Sequence, residues 1–427
     1  MDDLAHVTDS LRTETQSHYA RVEALPFFKA LAARELPRDS YVGLLQALEI
    51  VYAAFEQAVR QSTNPVLTAA RDAHRRTLSL IRRDQAFFAN RALEGSSHAV
   101  LHALILEQQI RERARQDPVS LLGYLYVLEG ATLGGVMSRS FVARALHLRG
   151  ADGLIYLSGY KLWTRAQWSQ FARRLAESAA GPAELDRVVE AAREVFTGIE
   201  EIIRTLYPVA VHSPHDLVPT LNPEAGSHPI PDDVREIRAA LLAGEQSWQR
   251  FPYYEWRYGV RGRRFTRSDS AWIVTLTNHR QAAVDQQVAW LGRLLASRGM
   301  PQWMLELHLE VLYQELVAAV PEKQATYAKL LLAAAMLHDI RRAQIDDAVF
   351  QSLASEFDAL VGPDWSTRLP RTGGLLAAAV ADELGGIPQA VSSLETWMTD
   401  ASRFPETWIA AVQTMLRKAR EQARLGK

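Results

Sequence analysis

The sequence predicts an all-α protein of two domains, and three observations carry that expectation. Helical periodicity runs from end to end. No stretch shows the apolar–polar alternation of a half-buried strand. One segment, residues 207–233, interrupts the helical pattern with six prolines. A chain of 427 residues is long enough for two or three domains. Its 48% hydrophobic and 23% charged content is ordinary for a globular protein.

Taken in order, the first clear helix spans Ser40–Val59, with Leu44, Leu48, Val51 and Phe55 on one stripe and Tyr52 beside it. A second helical stretch, Tyr124–Ser140, is interrupted by glycines. A third, Ala183–Leu206, places Leu185, Val188, Val189 and Ile199 on one face. The proline-rich segment then removes backbone donors and turns its neighbours away from helix, so it reads as a linker or an extended arm. Its histidines, His212, His215 and His228, read as polar linker residues. Helices resume over 233–249, 268–298, 301–320, 321–343 and 346–361, with three more to the end. Pro301 and Pro321 suit first helical turns, and the Ser-Asp-Ser before Ala271 reads as an N-cap. The expected division is therefore 1–206, a linker at 207–233, and a second all-α domain at 234–427.

Composition excludes several chemistries. The chain has no cysteine, which removes disulfides, thiolate nucleophiles, Cys-ligated zinc and iron–sulfur clusters. A net charge of −1 gives no electrostatic reason to seek nucleic acid or anionic lipid. The acidic N-terminus lacks the basic and apolar regions of a signal peptide. The apolar run Leu330–Leu337 is far short of the roughly 20 residues that span a bilayer. A cytoplasmic protein with neither nucleic-acid nor membrane partners is expected.

The glycines pose the functional question. Gly123, Gly130 and Gly134 fall near one helix face, at i, i+7 and i+11, with Gly135 adjacent. Each interior glycine costs roughly 1 kcal/mol relative to alanine. Two readings account for the sacrifice: tight packing of another helix, or a flat, bulky ligand lying against the backbone.

The residues around those glycines, "LYVLEGATLGG", resemble the distal helix of the haem oxygenase family, especially its bacterial biliverdin-producing branch. "LRTETQSHYARVEALPFFKALAARELPRDSYVGLLQALEIVYAAFE", Leu11–Glu56, is similar to that family's first two helices. The resemblance covers roughly residues 5–205. It implies a haem-oxygenase-like helical bundle in which haem lies between a proximal helix that ligates iron and a glycine-lined distal helix. The implied reaction opens haem oxidatively to biliverdin, CO and iron, with electrons from an external donor such as a reductase. The protein would supply orientation and electrostatics while haem carries the chemistry. The resemblance further implies catalytic roles for Gly130, Gly134 and Gly135, and haem contacts from Arg12, Tyr19, Glu23 and Arg139. Arg173 and Arg174 are looser candidates for the propionate edge.

One position departs from the family. Counting from either flank, its proximal histidine falls on Tyr19, and His18 lies one residue earlier. One residue is about 100° of helix rotation, so the two side chains do not share a target. Either His18 reaches the metal by a rotated helix, or Tyr19 is the ligand, or haem is held differently. A tyrosinate favours ferric iron, whereas histidine serves the ferrous state that binds oxygen. The alternative to an enzyme is thus a non-catalytic haem- or bilin-binding sensor or carrier. A metal site built on His98 and His102, at i and i+4 with Glu107 nearby, is the lesser possibility; packing histidines are favoured there.

The most distinctive stretch of the second domain is Tyr253–Leu276. Arg257, Arg261, Arg263, Arg264 and Arg267 crowd beside Tyr253, Tyr254, Trp256, Tyr258 and Phe265. Arginine forks suit carboxylates and phosphates, and aromatics among them suit a flat anion such as a tetrapyrrole or nucleotide. The structural reading pairs these arginines with the acidic helix around Glu306, Glu310 and Glu315. His279, His308 and His338 are candidate axial ligands. Roles left open for this domain are binding of product, docking of a reductase, sensing, and a homodimer contact.

Overall fold

The computed structural model describes residues 2–88, 97–158, 173, 175, 181–208 and 214–425. Among them every regular element is a helix, as the periodicity predicts. The chain divides into two units, Met1–Ser213 and Pro214–Lys427.

In the first unit the helices are α1 (Asp2–Glu23), α2 (Pro26–Ala33), α3 (Arg38–Gln61), α4 (Pro65–Phe87), α5 (His98–Gln116), α6 (Leu121–Ala145), the single turn α7 (Ile155–Ser158) and α8 (Pro182–Arg204). Their starts follow from local chemistry. Asn64 accepts from the amides of Val66 (2.9 Å) and Leu67 (3.3 Å) with Pro65 in the first turn, and Ser97 accepts from Val100 at 3.3 Å. Helix α3 packs on both α4 and α5, which explains why its buried face is wider than one stripe and includes Tyr41, Leu45, Tyr52, Phe55 and Val59. By length and composition α3 is apolar enough to cross a membrane, but 67% of its most apolar window is buried within the protein. Helix α8 packs on α1, α5 and α6 and so fixes the two helices that face the candidate site.

In the second unit the helices are α9 (Pro214–Leu221), α10 (Val234–Arg250), α11 (Tyr253–Leu276), α12 (Gln281–Ser297), α13 (Gln302–Ala319), α14 (Gln324–Arg342), α15 (Asp347–Arg368), α16 (Thr372–Leu384), α17 (Ala390–Met398) and α18 (Glu406–Leu425). Helix α16 is buried at every position from Thr372 to Asp382 and forms the centre of the core. Around it, the rings of Phe404 and Trp408 stack at 5.2 Å, and Phe357 meets Trp408 edge-on.

Two expectations are corrected here. The proline-rich stretch is not an open arm throughout: α9 lies inside it, and Leu217, Val218, Leu221 and Ile230 are buried in the second unit. Buried Asn222 ties the stretch down further, its side-chain amide donating to Ser268 Oγ at 3.3 Å. Its helix is only the eight residues Pro214–Leu221, too short a run to show as a helical stripe. The expected helix 268–298 is also wrong. Ser268 and Asp269 are interior to α11, whose backbone breaks at Gly259 (φ 50°), and the chain turns after Leu276 before α12 begins. Ser268 Oγ donates back to the carbonyl of Phe265 instead of capping a helix.

Candidate functional site

Helix α1 is fastened to α8 by Arg21 Nε on Glu200 Oε2 at 3.0 Å and by an ion pair between Glu14 and Arg193. Its buried stripe is Leu11, Thr15 and Val22. That rotation sends Tyr19, Val22 and Glu23 toward a cavity of about 720 Å³ enclosed with residues of α2, α3, α6, α7 and α8. His18 does not line it. Its ring sits 6.4 Å from that of Phe196 on α8, and burial, then the charges of Arg21 and Arg193, lowers its pKa. Tyr19 is 52% exposed, and its phenol is pushed up to about 12, first by its hydrogen bond to the Glu23 carboxylate and then by burial. It therefore rests as a neutral phenol at neutral pH.

The opposite wall comes from α6, and its glycines do two different jobs. A Cβ on Gly123 would stand 2.2 Å from the Val188 carbonyl oxygen and 2.7 Å from the Ala192 nitrogen, so this glycine seats α6 directly on α8. A Cβ on Gly130 would meet nothing within 4 Å, and Gly130 lines the cavity. Gly134 and Gly135 belong to the same helix, but their surroundings lie outside the described residues.

The rest of the cavity is mostly apolar, with Phe27, Phe28, Leu48, Phe196, Ile199 and Ile203 among its walls. Phenols supply the polar floor. Tyr52 donates to the Leu128 carbonyl at 3.2 Å and hydrogen-bonds Tyr156, whose pKa burial pushes up to about 12. Asp84, fully buried, holds the neighbouring turn by accepting from the amides of Ile155 (2.9 Å) and Tyr156 (2.7 Å); burial raises its pKa. Tyr52 was visible beside the α3 stripe and Tyr126 within the glycine-helix motif, but neither was assigned a role; Phe196 and Tyr156 did not stand out and are joined to them only by tertiary packing.

Among the described residues the expected cationic edge is not assembled at this cavity. Arg12 is 76% exposed and pairs with Asp9 at 3.1 Å. Arg139 donates to Ser158 Oγ (2.6 Å) and to the Gly150 carbonyl (3.0 Å), bracing the turn after α6. Neither lines the cavity. Arg174 lies outside the described residues. His102 is lowered to about 4 by burial and by His98, and Glu107 is engaged by Arg111. Among the described residues no group of three or more His, Asp or Glu is placed to hold a metal ion.

In the second unit the arginine cluster is a structural network, but with different acids from those expected. Arg261 and Arg264 share Glu224, Arg263 takes Glu255, and Arg257 donates to Ser393 and to the Tyr253 hydroxyl. Glu306 serves His338 and Arg341, and Glu315 accepts from Gln246. His308 is buried between Ser247 (2.8 Å) and Ser270 (3.0 Å) and lowered to about 4 by burial, so both ring nitrogens are engaged. A cavity of about 930 Å³ opens beside this network. Besides Arg257, Arg261 and Tyr258 it reaches His228, Asp269, Trp290 and Arg298, four residues to which the sequence assigned no ligand. The polar–aromatic face Gln286, Gln287, Trp290 of α12 was the available signal.

Residues 5–205 match the family model described as heme oxygenase. No curated protein matches the chain. Among solved structures, the haem oxygenase of Leptospira interrogans is similar at 20% identity and a TM-score of 0.41, covering 46% of this chain and 98% of its own. Haem oxygenase-1 of the cyanobacterium Synechocystis sp. PCC6803, in complex with haem, is similar at 17% identity and a TM-score of 0.38, covering 47% and 92%. The family match makes residues 5–205, a little under half of the chain, similar to the haem oxygenase family.

Proposed function

We propose that the first unit binds haem in the cavity between α1 and α6 and opens it oxidatively to biliverdin, CO and iron, using dioxygen and electrons from a separate reductase. The observation that carries this reading is the open space over Gly130, which leaves the backbone of α6 bare toward an apolar cavity whose other wall carries Tyr19. A flat apolar macrocycle fits such a slot. The aromatic and aliphatic walls would orient it and exclude water, while the hydroxyls of Tyr52 and Tyr156 would supply hydrogen bonds at the floor. When bound, haem supplies the redox chemistry itself. The protein is read as soluble and cytoplasmic, with domain limits near 1–206 and 234–427 joined by a partly folded connector.

A second reading rests on Tyr19. The side chain that reaches the cavity is a phenol, not an imidazole, and a phenolate ligand favours ferric iron. That supports a haem or bilin binder that does not turn its ligand over. Haem titration followed by a reductant under air tests both readings. Decay of the Soret band with growth of bilin absorbance supports the oxygenase; a Soret band that survives reduction supports the binder. Failure to bind haem removes the oxygenase, and failure to bind biliverdin as well removes the binder.

A further inference from the structure

The cavity of the second unit has walls and poles of a kind. Trp248 and Tyr254 stack at 5.2 Å along one side, and Trp272 meets Trp290 edge-on at 6.2 Å along another. Trp290 is 55% exposed beside this opening, a large ring without full cover. Its volume of about 930 Å³ lies at the upper end of the range of about 300–1,000 Å³ that holds organic ligands. The poles are one acid and one base. Among the described residues the one hydroxyl beside the Asp269 carboxylate is Ser268 Oγ, at a long 3.4 Å, and its single proton is closer to the Phe265 carbonyl at 3.0 Å. Arg298 forms no ion pair among the described residues, in contrast to Arg257, Arg261, Arg263 and Arg264, which are all engaged. Burial pushes the Asp269 carboxyl up to about 6, with Arg298 acting the other way, so the acid is poised to gain from a hydrogen-bond donor.

We propose that this cavity is a binding site for an open-chain tetrapyrrole, with pyrrole N–H groups on Asp269, a propionate on Arg298, and the conjugated plane against Trp248 and Trp290. The class follows from the poles. A ligand that is flat, carries N–H donors and carries a carboxylate meets all three demands. Closed haem meets only two, because iron occupies its pyrrole nitrogens and leaves Asp269 facing no donor. The assignment rests on the proposed activity of the first unit for its source of ligand, and it makes the second unit a receptor for the product.

Titration of the full-length protein with biliverdin, followed by tryptophan fluorescence and visible absorbance, tests it. Saturable quenching is expected. Asp269→Asn, which preserves shape, and Trp290→Ala, which truncates an exposed ring, should each weaken biliverdin binding by about tenfold or more. Haem binding by the same variants should match that of the parent. Biliverdin binding that is absent from the parent, or unaltered in both variants, overturns the proposal. Haem that is never turned over, alongside biliverdin binding that depends on Asp269 and Trp290, would instead remove the oxygenase reading and leave this site standing.

Discussion

A methyl group on Gly123 would stand 2.2 Å from the carbonyl oxygen of Val188, whereas one on Gly130, two turns along the same helix, would stand in open space. The two explanations for a glycine-rich helix thus apply to different residues of it. Gly123→Ala should destabilise the first unit by about 1–3 kcal/mol, because the opposing atoms are backbone and cannot rotate away. Gly130→Ala should leave stability unchanged or raise it by up to about 1 kcal/mol through helix propensity. Urea melts of the two variants make the comparison. Equal destabilisation by both would mean that Gly130 also packs against protein, and the proposed haem slot would lose its principal support.

The phenol of Tyr19 and the carboxylate of Glu23 form a polar contact on the α1 wall of the cavity. The acid accepts the phenol's proton in a hydrogen bond and so opposes its ionisation. Glu23→Gln should lower the Tyr19 pKa from about 12 toward the ordinary value of about 10 for tyrosine. NMR of ring-labelled tyrosine across an alkaline titration, with Tyr19→Phe to assign the signal, would register it. If haem is held through Tyr19, the same Phe variant removes the tyrosinate charge-transfer band and His18→Ala keeps it. The reverse pattern would require α1 to rotate against its Arg21–Glu200 and Glu14–Arg193 ties.

The all-α class was legible because long amphipathic helices repeat their apolar residues locally. Asp233 and Asp346 are N-caps at the positions where the pattern restarts, accepting from Arg235 and Ala348. Ser268–Ser270 was not legible in the same way. The same Ser-Asp-Ser chemistry caps a helix or sits inside one, and the choice here depends on the break at Gly259, nine residues earlier. At the candidate site, the glycines were visible as a departure from ordinary helix composition and Tyr19 as a departure from the pattern of the family that the first half resembles. Phe196, Tyr156 and Trp290 were not, because each is unexceptional on its own helix and gains meaning only from what faces it.

The stretch read as a linker gives a direct test of its packing. Leu217 and Val218 of α9 are buried, and α9 packs on α11. Leu217→Ala in the full-length chain should cost about 2–4 kcal/mol, the range for a leucine truncated in a core. Thermal unfolding followed by tryptophan fluorescence reads the second unit, which carries most of the tryptophans. A free connector would tolerate the change without a shift in Tm.

Asp382 provides the clearest pH dependence. Its carboxylate lies buried at the start of α13, where it accepts from the Gln302 amide at 2.9 Å, and burial pushes its pKa up to about 7. In the unfolded chain an aspartate titrates near 3.9. Between those values the folded state holds a proton that the unfolded state has released, so stability should fall as pH rises from about 4 to about 7 and then level off. The sign is opposite to that of a salt-bridged carboxylate. Asp382→Asn keeps an acceptor for Gln302 and removes the titration, so its stability should be flatter across this window, by an amount on the order of a few kcal/mol at most. Denaturant melts of parent and variant at pH 5, 6, 7 and 8 measure the difference. Parallel curves would show that Asp382 ionises freely in the folded protein, through water or through the nearby Arg341.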